Sequence, residues 1–142
     1  IQSLELFLDN LFELDRGEYL RKFTNDHREL ILEVFDNQFL AKQFWNSPTI
    51  KAATRRTSLG RDARTWFIEN RHKLILDKLL RNVYYLRCQL IHGAATRGST
   101  LNRDTVRQCL TALRPLAPAM LRIVIEKGLE RDWGPACYPV VK

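Results

Sequence analysis

Two residues in the string Val83-Tyr84-Tyr85-Leu86-Arg87-Cys88-Gln89-Leu90-Ile91-His92-Gly93 have types and spacing suited to chemistry: Arg87 and His92. A guanidinium and an imidazole are the minimum set for cleaving a phosphodiester without a metal. The imidazole moves a proton to or from the attacking or leaving oxygen, and the guanidinium meets the charge on the phosphate. A His beside a helix-terminating Gly also has its ring near the orphan carbonyls of the helix end, which favour the imidazolium. Five residues of separation is about 140° on an ideal helix. The two side chains therefore converge only on something lying across the helix end, such as a second copy of the chain. The plain alternative is an internal salt bridge for Arg87 and a C-terminal capping role for His92. The surrounding leucines and isoleucines are expected to face the core.

Other chemistries have little support. Cys88 and His92 share a helix face at i,i+4, which is half of a zinc site, but no second pair with ligand spacing follows. No metal and no cofactor is expected. GxxxxGK[ST], GxGxxG and GxSxG are all missing, which removes the signatures of a P-loop NTPase, a dinucleotide enzyme and an α/β-hydrolase. His27 and His72 sit amid polar residues and are expected to face solvent. Cys109 lies on an apolar stripe and reads as inert core. Trp45, Trp66 and Trp133 read as core or rim anchors, with stacking on bases the other use of such rings. Three widely spaced cysteines (Cys88, Cys109, Cys137) do not make a disulfide framework, and a reducing cytoplasm is the expected compartment.

These residues need helices to position them. The chain has 142 residues, 45% hydrophobic and 27% charged, which suits one globular domain with a sizeable core and excludes a disordered polar chain. No uncharged apolar run approaches the roughly 20 residues of a membrane span. Apolar spacing is helical throughout, with no alternating run of β-branched residues. Leu4, Phe7, Leu8, Leu11 and Phe12 mark a first helix ending near Gly17. Tyr19 to Leu40 form a second segment, broken near Asn25-Asp26, with Asp26 as N-cap of its second half. The polar, basic stretch Thr54–Gly60 reads as a connection, after which Arg61 or Asp62 opens a third helix. Leu74 to Ile91 is the strongest periodic stretch, expected to be the longest core helix, closing at Gly93. Asn102 is the expected N-cap of a last helix through Val124, which Pro115 and Pro118 should kink or split. The tail from Asp132 onward is irregular, its aromatics expected to pin it across the helices. The expected fold is all-α, a single helical bundle of four to five main helices over residues 1–142. Because Ile1 already sits inside a helical pattern, the chain is expected to be the C-terminal part of a longer protein.

Charge is uneven. Residues 1–50 carry 5 Lys/Arg against 9 Asp/Glu, residues 51–100 carry 11 against 3, and arginine outnumbers lysine 16 to 7. An arginine-rich middle, including Arg55, Arg56, Arg61 and Arg64, suits a polyanion, although a solvated helix face has the same composition.

The run Val83–Gly93, the following AATRGSTLNRDTV, and the tail Trp133-Gly134-Pro135…Tyr138-Pro139-Val140-Val141 resemble the Apea-like branch of the HEPN superfamily. The likeness covers roughly residues 70–142. The superfamily motif is an Arg, four to six residues, then a His at the end of a core helix, and Arg87 and His92 match it with four between. The resemblance implies a helical bundle that pairs into a homodimer, bringing two Arg/His sets into one cleft. It also implies a metal-independent endoribonuclease of toxin–antitoxin, defence or RNA-processing systems, with RNA or a nucleotide as ligand and an antitoxin or other protein as partner. Arg87 and His92 become the catalytic pair, and Gln89, Arg97, Asn102 and Arg103 the substrate-binding residues. The residue after the motif Arg is often Asn, Asp or His, and here it is Cys88. The alternative is a non-catalytic nucleotide- or RNA-binding and dimerisation module of a larger bacterial protein.

Overall fold

Leucine and phenylalanine at three- and four-residue spacing wind the first segment into α1 (Gln2–Asp15), burying Leu8, Leu11 and Leu14. The helix stops where Arg16 and Gly17 both take positive φ, 53° and 80°. Asp15 then works forward: its buried carboxylate accepts from Tyr19 N at 2.7 Å and Leu20 N at 3.0 Å, satisfying the first amides of α2 (Leu20–Asp26). In this computed structural model residues 2–41, 58–91 and 103–133 are described.

The second segment divides as expected, but at His27. Asp26 is the last residue of α2, bound to Lys22 at 2.7 Å, and caps nothing; α3 (Arg28–Asp36) follows His27 without a side-chain cap. Helix α3 buries Ile31, Leu32, Val34 and Phe35 and leads into a short 3₁₀ turn, Gln38–Leu40.

α4 (Ser58–Ile68) begins earlier than the polar sequence suggests. Packing overrides local propensity here. Gly60, Ala63 and Phe67 form a buried stripe, and Gly60 lies so close to Asp36 that a Cβ would overlap its carboxylate. Arg64 seals the contact, donating to Asp36 Oδ2 at 2.7 Å and to Gly60 O at 2.5 Å. Asn70, at φ 55°, turns the chain into α5 (His72–Ile91), whose inner face carries Ile75, Leu76, Leu79, Asn82 and Leu86.

α6 (Arg103–Lys127) runs through Pro115 and Pro118 without splitting, so it, at 25 residues, exceeds the 20 of α5. The carbonyls that lose a helical donor belong to Thr111 and Arg114, both exposed residues, where water can take the bond. A 3₁₀ turn (Gly128–Glu130) follows, and Trp133 closes the end. Its Nε1 donates to Gly128 O at 2.7 Å and its ring packs on Phe7 at 5.7 Å, the anchoring role expected of it.

The protein is thus an all-α bundle, with no strand among the described residues. By length and composition alone Arg103–Glu130 also qualifies to cross a membrane, unlike the expectation from uncharged runs. One face of α6 supplies Cys109, Ala112, Leu116 and Ile123 to the core.

Candidate functional site

Arg87 stands on the outer face of α5, one residue past Leu86, the last buried residue of that helix. Among the described residues no carboxylate pairs with it. Its guanidinium instead lies over the Tyr84 ring, 5.9 Å from the centroid. Tyr84, Arg87 and Ile91 follow at i, i+3 and i+7, a single outward stripe, with Tyr84 57% and Ile91 61% exposed. Leu90 is exposed as well. The last turn of α5 thus points Leu90 and Ile91 outward, which corrects the expectation that its Leu and Ile face the core. The internal salt bridge considered for Arg87 is absent among the described residues.

Gln89 points the other way. Half-buried, it donates from Nε2 to Phe39 O at 2.7 Å, and its Oε1 is buried without a partner. Phe39 belongs to the 3₁₀ turn, whose neighbour Asn37 is a hub. Asn37 Nδ2 donates to Thr105 Oγ1 at 3.0 Å and Gln108 Oε1 at 2.8 Å, and its Oδ1 accepts from Phe39 N at 3.0 Å. The turn therefore ties the end of α5 to the start of α6, and Arg87, Gln89 and exposed Arg103 come to one end of the bundle. Arg103 has no carboxylate partner among the described residues, since Asp104 pairs with Arg107 at 2.9 Å. His92, Arg97 and Asn102 lie outside the described residues, as do Gly93, Trp45, Arg55, Arg56 and the tail beyond Trp133.

Sequence reading missed Asn37, Tyr84 and Tyr85. The two tyrosines sit on a helix otherwise read as core, and only their outward rotation marks them. Asn37→Ala deletes three hydrogen bonds at the hub. Its expected cost is about 1–3 kcal/mol, read as a lowered urea midpoint, with the amides of Thr105 and Gln108 shifting by NMR.

The basic middle is less free than its composition suggests. Arg64 is committed to Asp36, and Arg61 lies 3.7 Å from Asp62. Cys109 is buried and its thiol is pushed up to about 11 by burial, the inert core group expected. Cys88 is half-buried.

Both remaining histidines depart from the solvent-facing expectation. His27 is half-buried with its ring 5.0 Å from Phe23. His72 is 7% exposed, and its Nδ1 meets Thr24 Oγ1 at 2.7 Å. The Thr24 hydroxyl spends its proton on Arg21 O at 2.9 Å, so Nδ1 carries the hydrogen and donates. Desolvation, with the Arg21 charge adding to it, lowers the His72 pKa below its ordinary 6.5. The unfolded chain then binds the extra proton first. The stability His72 contributes is complete above about pH 6.5 and is lost as pH falls from there through the folded value, by at most about 1.4 kcal/mol per pH unit. Urea unfolding from pH 7.5 to 5.5 should show this slope, and His72→Asn should flatten it.

Comparison of the chain with protein-family models, with curated proteins and with solved structures finds no match.

Proposed function

We propose that this domain is a metal-independent endoribonuclease of the HEPN type that acts as a homodimer, in a cytoplasmic toxin, defence or RNA-processing setting. The observation that supports this most is Arg87, an exposed guanidinium with no carboxylate partner among the described residues, five positions before His92. A cation kept free of carboxylates at the end of a helix is available to a phosphate. Its neighbours supply the means of pairing. Tyr84, Leu90 and Ile91 are apolar and exposed around it, a surface suited to a second copy across a two-fold axis.

In the reaction, one His92 removes the proton from a ribose 2′-hydroxyl. The 2′-oxygen attacks phosphorus and the bond to the 5′-oxygen breaks. The His92 of the second copy protonates that leaving oxygen, and Arg87 meets the charge on the phosphoryl oxygens. Arg97, Asn102 and Arg103 bind the strand, the two arginines by charge. Gln89, whose amide is engaged with Phe39 O, contributes by holding the helix end.

A direct test incubates the protein with single-stranded RNA in EDTA beside the same RNA carrying 2′-O-methyl groups. Only the unmodified strand should be cut. Sedimentation at high micromolar concentration should give a dimer, and Ile91→Glu, which places a charge on the outward stripe, should give a monomer with cleavage reduced at least tenfold.

A second reading has its own support. The exposed Tyr84 ring beside Arg87 offers a face on which a base stacks, and Cys88 occupies the position where a polar helper is usual in the family resembled. A non-catalytic RNA- or nucleotide-binding and dimerisation module would show salt-sensitive RNA binding lost in Tyr84→Ala, with no cleavage at any pH.

A further inference from the structure

Most of the apolar surface of α6 goes unused by the core. Its 18-residue apolar stretch has the composition of a membrane-crossing helix, yet only 22% of that stretch is buried inside the bundle. A helix whose apolar residues served packing alone would have them mostly covered. Leu110, Ala117, Leu121 and Ile125 fall within about 80° of one another around the axis. They lie away from Cys109, Ala112, Leu116 and Ile123, which face the core. All four are exposed, and exposure climbs along the helix, from 57% at Leu110 and 59% at Leu121 to 79% at Ile125. It reaches 103% at Leu129 in the 3₁₀ turn that follows. A continuous exposed apolar face of this kind marks a docking surface for a protein or a membrane.

The polar groups within the face favour a membrane. Arg114 stands in the middle of the stripe, exposed and without a carboxylate partner among the described residues. A protein interface would bury that charge at its centre, where desolvation is costly and charged residues are depleted. At a bilayer surface the Arg114 stem lies along the neighbouring apolar side chains while its guanidinium reaches the phosphate layer. Pro115 and Pro118 free the carbonyls of Thr111 and Arg114, both exposed residues. Those oxygens need water, which a hydrated headgroup layer holds and a hydrocarbon core does not.

Charge selects the lipid. α6 carries Arg103, Arg107, Arg114, Arg122 and Lys127 against Asp104 and Glu126. Asp104 takes Arg107 at 2.9 Å, Glu126 takes Arg122 at 2.6 Å, and Lys127 is held by Glu18 at 3.1 Å. Arg103 and Arg114 remain as positive charge, the complement of anionic headgroups.

We propose that α6 docks this domain on an anionic bilayer surface, with Leu110, Ala117, Leu121, Ile125 and Leu129 in the boundary between headgroups and acyl chains and Arg114 at the phosphates. The inner face of α6 stays in the bundle, so the helix lies on the membrane and does not cross it. α6 carries neither Arg87 nor His92, and docking does not depend on the nuclease reading.

The test floats the full chain on vesicles of phosphatidylcholine alone and of phosphatidylcholine with phosphatidylglycerol, at low and moderate salt. Binding to the anionic vesicles should saturate and be at least tenfold tighter than to phosphatidylcholine alone. Because a chain of net charge +7 is drawn to any anionic surface, the deciding variant keeps the charge. Ile125→Ser/Leu129→Ser should weaken binding at least fivefold, with helix content and urea midpoint unchanged. Arg114→Gln should weaken it at least twofold and reduce its salt dependence, whereas Arg61→Gln, the same charge change at an exposed residue of α4, should bind as wild type does. Failure to bind anionic vesicles, equal binding by Ile125→Ser/Leu129→Ser, or equal losses in Arg114→Gln and Arg61→Gln would each overturn the proposal. If wild type ignores vesicles while Ile125→Ser/Leu129→Ser loses self-association or RNA binding, the face belongs to a second copy or to RNA, and the proposal fails.

Discussion

His92→Ala is expected to lower the rate of RNA cleavage by about 10²–10⁴, the factor that a positioned general acid or base supplies. Arg87→Ala should cost a comparable factor, because the guanidinium meets charge that grows on the phosphoryl oxygens in the transition state. The two losses should combine to much less than their product, since both groups serve one step. Neither change should unfold the domain. Arg87 is exposed and lies beyond the last buried residue of α5, and its contact within the described residues is to the exposed Tyr84 ring. Single-turnover cleavage of an end-labelled RNA measures the rates, and circular dichroism checks the helices. Loss of helix content together with loss of activity would place Arg87 among the structural residues.

The second large effect is in the core. Phe35→Ala is expected to destabilise the domain by about 3–5 kcal/mol, through lost apolar burial and the cavity left behind. Phe35 is 1% exposed and sits on α3, between Val34 and the Asp36 carboxylate that Arg64 and Gly60 engage. A helix held from α4 and α6 sides has little freedom to collapse into the space. The cost is a large share of the roughly 5–15 kcal/mol that holds a domain together. Urea unfolding measures it, with Ile68→Ala as the control. Ile68 is 76% exposed, and its change should stay within about 0.5 kcal/mol.

The helical class and the extent of α1 and α5 were legible because apolar residues recur at helical spacing on faces that are in fact buried. What spacing hides is context. The start of α4 depends on Gly60 meeting Asp36, a contact across 24 residues that no local pattern reveals. The continuity of α6 depends on which carbonyls its prolines free and on those residues being exposed. His72 looked like a surface residue because its neighbours are polar, yet Thr24 on another helix supplies the partner that lets it be buried. In the candidate site, Arg87 was found by residue type and spacing. Its exposure, and the outward turn of Tyr84, Leu90 and Ile91, depend on which side of α5 the neighbouring elements cover. The inward turn of Gln89 is set by a carbonyl 50 positions away, at Phe39.

The central claim is that Arg87 and His92 cleave RNA by transfer to the neighbouring 2′-oxygen without a metal. Mass measurement of the 5′ fragments released from a defined RNA in EDTA tests it most directly. The expected mass is that of a 2′,3′-cyclic phosphate end, formed by the wild-type protein and missing with His92→Ala. Intact RNA under these conditions, or fragments ending in a 3′-hydroxyl, would contradict it.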